Sequence, residues 1–171
     1  MKKLSLFKSE RGQSFVELAF IVPFLLLVLL GAVEVVIAGR TYLALLEASV
    51  VSSRLGSSGI SFYDNTEILT LTNQVLSQEG LTSSDLVDVI ITRADLVGGT
   101  TVENYQVENM LGSGRPTQLT EAYLQSQMDA GDLSVHVIGV EVVFDHHLLF
   151  AGSNFLPDPL VLKAFTLNAI P

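Results

Sequence analysis

Sixteen consecutive residues, Leu18 to Val33, carry no charge, and Val35 to Gly39 continue uncharged after the single acid Glu34. About 20 apolar residues cross the roughly 30 Å hydrocarbon core of a bilayer as a helix, so this run is long enough to span. It also constrains everything around it, because a spanning segment must satisfy its own backbone hydrogen bonds and is therefore helical. Four basic residues, Lys2, Lys3, Lys8 and Arg11, precede it, with Gly12 and then Glu17 at its edge. An acid in a membrane helix costs roughly 2.5–3.5 kcal/mol at the centre and less near the end, so Glu17 is expected to have a task. Pro23 removes one backbone hydrogen bond within the run, which predicts a kink or a loosened turn. Gly31 and Ala32 leave a patch of small side chains where another helix can approach.

The flanks orient the segment. The basic residues against Glu10 give residues 1–12 a charge of +3, and the total of −9 leaves −12 for residues 13–171. The positive-inside rule then places the N-terminus in the cytoplasm and the rest of the chain outside. An acidic outer part argues against a nucleic-acid partner, which would require a basic face. Cysteine is absent, so no disulfide holds the fold and no thiol chemistry is available. A secretory signal peptide has a shorter apolar core with a small-residue cleavage site after it. Here the core is longer, and Glu34 and Arg40 follow. A plain membrane anchor remains an open reading of this pattern.

The helical pattern continues beyond Gly39. Leu43, Leu46 and Val50 recur at i, i+3, i+7 and predict one apolar stripe, while Arg40, Glu47 and Arg54 recur every seven residues as a charged face. Ala44 and Ala48, more peripheral to that stripe, suit close approach of a neighbouring helix. Gly56 to Gly59 ends the pattern. One helix over residues 13–55 would be about 65 Å long. The remainder, residues 56–171, reads as a small α+β head with about four mostly antiparallel strands packed on the long helix. Asp64 caps a helix whose apolar face is Ile68, Leu71 and Val75, closing at Gly80. Val87 to Arg93 is a β-branched strand, Gly98-Gly99 is a two-residue hairpin signal, and Thr101 to Val107 is the return strand. Gly112 to Pro116 is a loop. Thr117 or Thr120 caps a short helix over 121–130 ended by Gly131. Leu133 to Phe144 is the clearest strand, with Ile138, Val140, Val142 and Phe144 on one face. A turn-rich stretch over 154–159 leads to a last strand, Val161 to Ala169.

Chemistry-bearing groups are sparse. Asp145-His146-His147, with His136, invites a metal reading, but neighbouring residues on a strand point to opposite faces and cannot readily share one ion. The reading is therefore a polar cluster at a strand end, with no metal. Asp85 and Asp88 read as a capping or loop pair, because the oxygen-rich calcium loop pattern is missing. Neither a nucleophile elbow nor a phosphate-binding glycine loop occurs. The expectation is no enzyme and no cofactor.

Residues Gly12-Gln-Ser-Phe-Val-Glu17-Leu-Ala-Phe-Ile-Val-Pro23, followed by Gly31-Ala-Val-Glu34, resemble the N-terminal signature of TadE-like proteins of the Tad (tight adherence, Flp-type) pilus systems. The stretches 140–150 and 156–160 resemble the C-terminal strands of that family more loosely. The resemblance implies a type IV pilin-like precursor with residues 1–12 as leader. A membrane prepilin peptidase would cut it between Gly12 and Gln13, and the product would assemble with other pilin subunits. It would begin as a single-pass protein of the cytoplasmic membrane and end in a cell-surface pilus with a role in attachment. Glu17, Pro23 and Glu34 then fall in the assembly segment. Cutting after Gly12 leaves an ammonium on Gln13. A carboxylate entering a helical bundle needs such a cation, which gives Glu17 its partner. The alternative is an uncleaved, single-pass extracytoplasmic adaptor of a pilus or secretion machine. Glu34 can also be read as a residue snorkelling at the membrane face.

Overall fold

The computed structural model describes residues 10–58, 64–99, 101–127, 134–149 and 158–170. The expectations for most of the leader, for the Gly131 helix end and for most of the 154–159 turn lie outside them. The chain forms two compact units, residues 1–37 and 38–171. Seven elements follow in order: α1 (Glu10–Ser57), α2 (Asn65–Gln78), β1 (Leu86–Val97), β2 (Thr101–Asn109), α3 (Glu121–Ser126), β3 (Val135–His146) and β4 (Leu160–Ile170). The class is α+β, a long N-terminal helix and a four-stranded antiparallel sheet ordered β2-β1-β3-β4.

Capping sets the helix starts. The Asp64 carboxylate accepts from the Thr66 amide at 3.3 Å, and the Thr120 hydroxyl accepts from the Tyr123 amide at 3.2 Å. Of the two threonines proposed for α3, Thr120 is the cap. The β1–β2 hairpin departs from expectation. Val97 pairs with Thr101, so residues 98–100 make a three-residue connection in place of a two-residue turn. Gly98 and Gly99 have φ of 59° and 67°, a conformation that glycine adopts without side-chain cost.

The second unit has three layers. On one face of the sheet, Val89, Ile91, Ile138, Val140, Val142, Phe144 and Ala164 pack with Leu45 and Ala48 of α1 and Ile68 and Leu76 of α2. The expected inward set of β3 is therefore observed. The α2 face is turned by one residue: Ile68, Thr72 and Leu76 are buried, with Leu71 and Val75 beside them. Thr72 belongs there because its hydroxyl meets Ser52 of α1 at 2.7 Å.

The opposite sheet face is covered too, by residues 110–120 and α3. Leu119 is fully buried over Gly139, where a Cβ would collide with it. Leu124 packs with Ala94, Leu96 and Val137. Two buried carboxylates fasten this strap. Asp88 accepts from the Leu111 amide at 2.9 Å, the Ser113 amide and the Asn109 side chain at 3.1 Å, and the Ser113 hydroxyl. Glu141 accepts from the Gln118 amide at 2.8 Å and the Thr117 hydroxyl at 3.1 Å, with Lys163 at 3.7 Å. Asp85 is the loop residue expected, accepting from Thr82 and Ser84. Asp88 is instead a fully buried anchor.

The contact of α1 with the sheet reverses the sequence expectation. Between residues 41 and 56 the buried positions are Thr41, Ala44, Leu45, Ala48, Ser49, Ser52, Ser53 and Gly56. Leu43 is 63% exposed, and Leu46 and Val50 are half-buried. Small side chains let the helix axis approach the strands. At Gly56 a Cβ would collide with the tip of the Ile138 side chain, so the glycine makes room for that side chain against the helix. The buried hydroxyls are paired across the seam: Ser49 with Thr166 at 2.9 Å, and Ser53 accepting from Asn168 at 2.8 Å. Each such bond contributes roughly 1 kcal/mol, and leaving a partner unpaired there costs more. Ala48 thus belongs to the head core, not to a free helix surface.

Ala48→Arg should therefore destabilise the head by about 3–5 kcal/mol, through overpacking and an unpaired buried charge. Leu43→Lys should leave the head within about 0.5 kcal/mol of the parent. Urea denaturation of the two variants checks this ordering. For Asp88, burial works to raise the carboxyl pKa, but the bonds from Ser113, Leu111 and Asn109 outweigh it and hold the value below the usual carboxylate range. The stabilisation is full above the unfolded-chain value near 4 and is lost as pH falls through the lower folded value. Asp88→Ala should cost about 2–4 kcal/mol at pH 7 and flatten the loss of stability as pH falls below about 4. Thermal melts across that range measure both effects.

Candidate functional site

Within the first unit, α1 presents apolar side chains on every side. Phe15, Phe20, Phe24 and Leu27 are each at least 66% exposed, and the large apolar residues from 15 to 33 are exposed throughout. A helix that is greasy all round has no stable position in water. Twelve of the sixteen residues 18–33 are Leu, Ile, Phe or Val. At about 0.3–0.6 kcal/mol each, their insertion contributes roughly 4–7 kcal/mol, which exceeds the cost of one acid at the helix end. Among the described residues one helix is long and apolar enough to cross a membrane, with its window at the N-terminal end.

The site residues named from sequence fall along this segment. The backbone at Gly12 and Gln13 lies inside α1, two and three residues past its first residue. Glu17 is exposed, at the start of the apolar stretch. Pro23 sits within α1, which continues through it without interruption. Glu34 is 9% exposed, the buried exception in a run of exposed residues. Spacing alone gave no sign of that difference between the two acids.

The histidines are separated by the fold. His136 pairs with Asp95, which also accepts from Asn104 at 2.6 Å. These bonds, the one from Asn104 first, hold the Asp95 carboxyl below its usual range. His146 is buried with its Nδ1 at 3.4 Å from the Thr41 hydroxyl, and His147 lies 3.5 Å from Asp158. Asp145 is 4.0 Å from Arg115. Strand β3 ends at His146, so His147 lies just beyond it. Among the described residues no group of three or more His, Asp or Glu side chains is placed to hold a metal ion. The depression of about 340 Å³ lined by Ile91, Arg93, Gln106, Val107 and Glu108 holds no nucleophile with a base.

Neither the curated proteins nor the solved structures contain a match to this chain. Residues 12–54, which are α1 almost from end to end, match the family model described as TadE-like protein, the family whose signature the glycine, the two acids and Pro23 resemble.

Proposed function

We propose that this protein is a pilin-like subunit of a Tad-type pilus system, made as a single-pass membrane precursor. Its N-terminus is cytoplasmic and its head extracytoplasmic. The observation that carries the reading is the coincidence of the TadE-like match with the all-round apolar helix, bounded by a glycine and an acid five residues later. In this reading a prepilin peptidase removes residues 1–12, and the new ammonium of Gln13 pairs with Glu17 of its own or a neighbouring subunit. Mature subunits then associate through their apolar helices and present the heads outward, with attachment as the outcome. Pro23 and Glu34 serve the assembly of this segment.

The fold modifies how assembly would work. Because Ala44, Ala48 and Gly56 are used against the head, neighbouring subunits meet α1 elsewhere. They meet the small patch Gly31-Ala32 and the apolar surface before it, and the outward face that carries Leu43 after it.

N-terminal sequencing of the chain from membranes and from sheared surface material tests the reading. Gln13 as first residue, with loss of cutting when Gly12 is replaced by Phe, is expected. Met1 on the exported chain contradicts cleavage and favours the uncut adaptor. Glu17→Ala should leave cutting and membrane insertion intact, since removing a charge eases insertion, yet reduce assembled material at least about tenfold through loss of a desolvated ion pair. Unchanged yield would show that Glu17 only snorkels.

A further inference from the structure

Successive strands of the sheet alternate in direction, so the two edge strands, β2 and β4, run antiparallel to one another within a single head. A second head set beside the first in the same orientation therefore brings β4 of one against β2 of the other as an antiparallel pair. The faces are kept as well. Residues 38–57 of α1 lie on the same side of the sheet in both copies and run the same way. Joining β4 to β4 antiparallel would instead turn one head around, with its α1 running opposite.

The β4 edge is long and open. Leu160–Ile170 pairs with β3 at every position without a shift. Among the described residues, no backbone group of β4 hydrogen-bonds outside that ladder. The strand holds no proline and no acid, and its one charge, Lys163, is turned towards Glu141. An edge of this kind is a template for another strand. The β2 edge differs. It carries two exposed acids, Glu103 and Glu108, and Asn104 at φ 49° where its register against β1 shifts. The regular run left at its far end is Gln106 to Asn109. Such irregularity keeps an edge from pairing at random.

Charge and side chains favour the mixed pair. Residues 13–171 carry −12, so heads repel one another in general. Meeting β2 to β2 would gather four acids, whereas β4 offers those acids a strand whose only charge is a lysine. Val107 lies opposite Thr92, whose hydroxyl meets Thr117, and so stands on the strap side of the sheet. Phe165, against Tyr123 of α3, marks the same side of β4, which Val161 and Leu167 share. Val107 is 37% and Val161 39% exposed, so both edges present an uncovered valine on that side.

We infer that β4 of one copy adds to β2 of the next, so that neighbouring heads share one continuous sheet. The contact is head to tail and repeats from copy to copy without closing at two. Main-chain hydrogen bonds supply it, and the alternate side chains set its register. The regular run on β2 is too short to hold two heads by itself, so the pairing forms where apolar helices have already brought copies alongside. This inference therefore rests on the assembly reading proposed above and adds what joins the heads.

The chain has no cysteine, so introduced thiols report the contact in the full-length protein. Val107→Cys is combined in turn with Val161→Cys, Phe165→Cys or Ala169→Cys, steps along one side of β4 that cover every register. Residues 107, 161 and 169 are exposed, which keeps two of the three pairs clear of the core. Assembled material sheared from cells is treated with a bifunctional maleimide of about 8 Å, the reach of direct and diagonal cross-strand neighbours. The two edges of one head are three strand spacings, about 14 Å, apart, so the link forms only between copies. At least one double variant should give a ladder of dimers, trimers and higher species, at least about tenfold above any single variant. Sheared material in parental amount with no ladder from any pair overturns the edge contact and leaves assembly by the helices standing. Dimers from Val161→Cys, Phe165→Cys or Ala169→Cys alone would show β4 meeting β4, which also overturns it. If the parent chain yields no sheared material, the assembly reading fails and this inference fails with it.

Discussion

The close approach of α1 to the sheet is the contact on which the head depends. It is made by Ala44, Ala48, Ser49, Ser52, Ser53 and Gly56, side chains with little bulk, and only Leu45 brings a large apolar group to the centre of that face. Small residues bury less apolar area each, at roughly 25 cal/mol per Å², than leucines would. What they allow is interdigitation of strand side chains such as Ile138 and hydroxyl pairing with Thr72, Thr166 and Asn168. Those bonds have directions and partners. They set the register of the helix on the sheet, which an unbroken leucine stripe would leave free to slide.

The same helix carries two surfaces suited to two solvents. In residues 14–37 large apolar groups point outward on every side, an arrangement stable only where the surroundings are themselves apolar. In residues 38–57 Tyr42 and Leu43 still face outward, while Leu45 and the small residues face a protein core. Beyond the seam, the sheet is protected on its other face by a strap tied down with Asp88 and Glu141. Buried carboxylates are costly unless each oxygen is satisfied. Backbone amides, the Ser113 hydroxyl and the Asn109 side chain satisfy both oxygens of Asp88, while Glu141 has one oxygen held by an amide and a hydroxyl and the other 3.7 Å from Lys163, so that removing either acid frees donors.

Much of this was legible in the residues, and the failures have physical causes. The length of α1, the Asp64 cap, the β-branched strands and the inward set of β3 follow from local chemistry that acts at short range. The face of α1 did not, because apolar periodicity registers Leu43, Leu46 and Val50 and ignores alanine and serine. Hydroxyls read as surface groups until their partners, far away in sequence, are known. Thr72 was missed on α2 for the same reason. Asp88 resembled a loop acid, since the turn that donates to it lies more than twenty residues away. The three-residue hairpin arose from pairing of Val97 with Thr101, which the Gly-Gly signal does not specify. The pairing of Gly12 with Glu17 stood out because a lone acid beside an apolar run is improbable without a use.

In the anchored reading one helix meets lipid along its first half and a protein core along one face of its second. Cysteine scanning along α1 in membranes, with a water-soluble maleimide on the folded, anchored protein, reads this directly. No labelling is expected from residue 18 to 33. A helical alternation is expected from 40 to 54, with positions 43, 47 and 54 reactive and 44, 45, 48 and 52 protected. Periodic labelling within 18–33, or protection of 43 with reaction at 48, would contradict that reading.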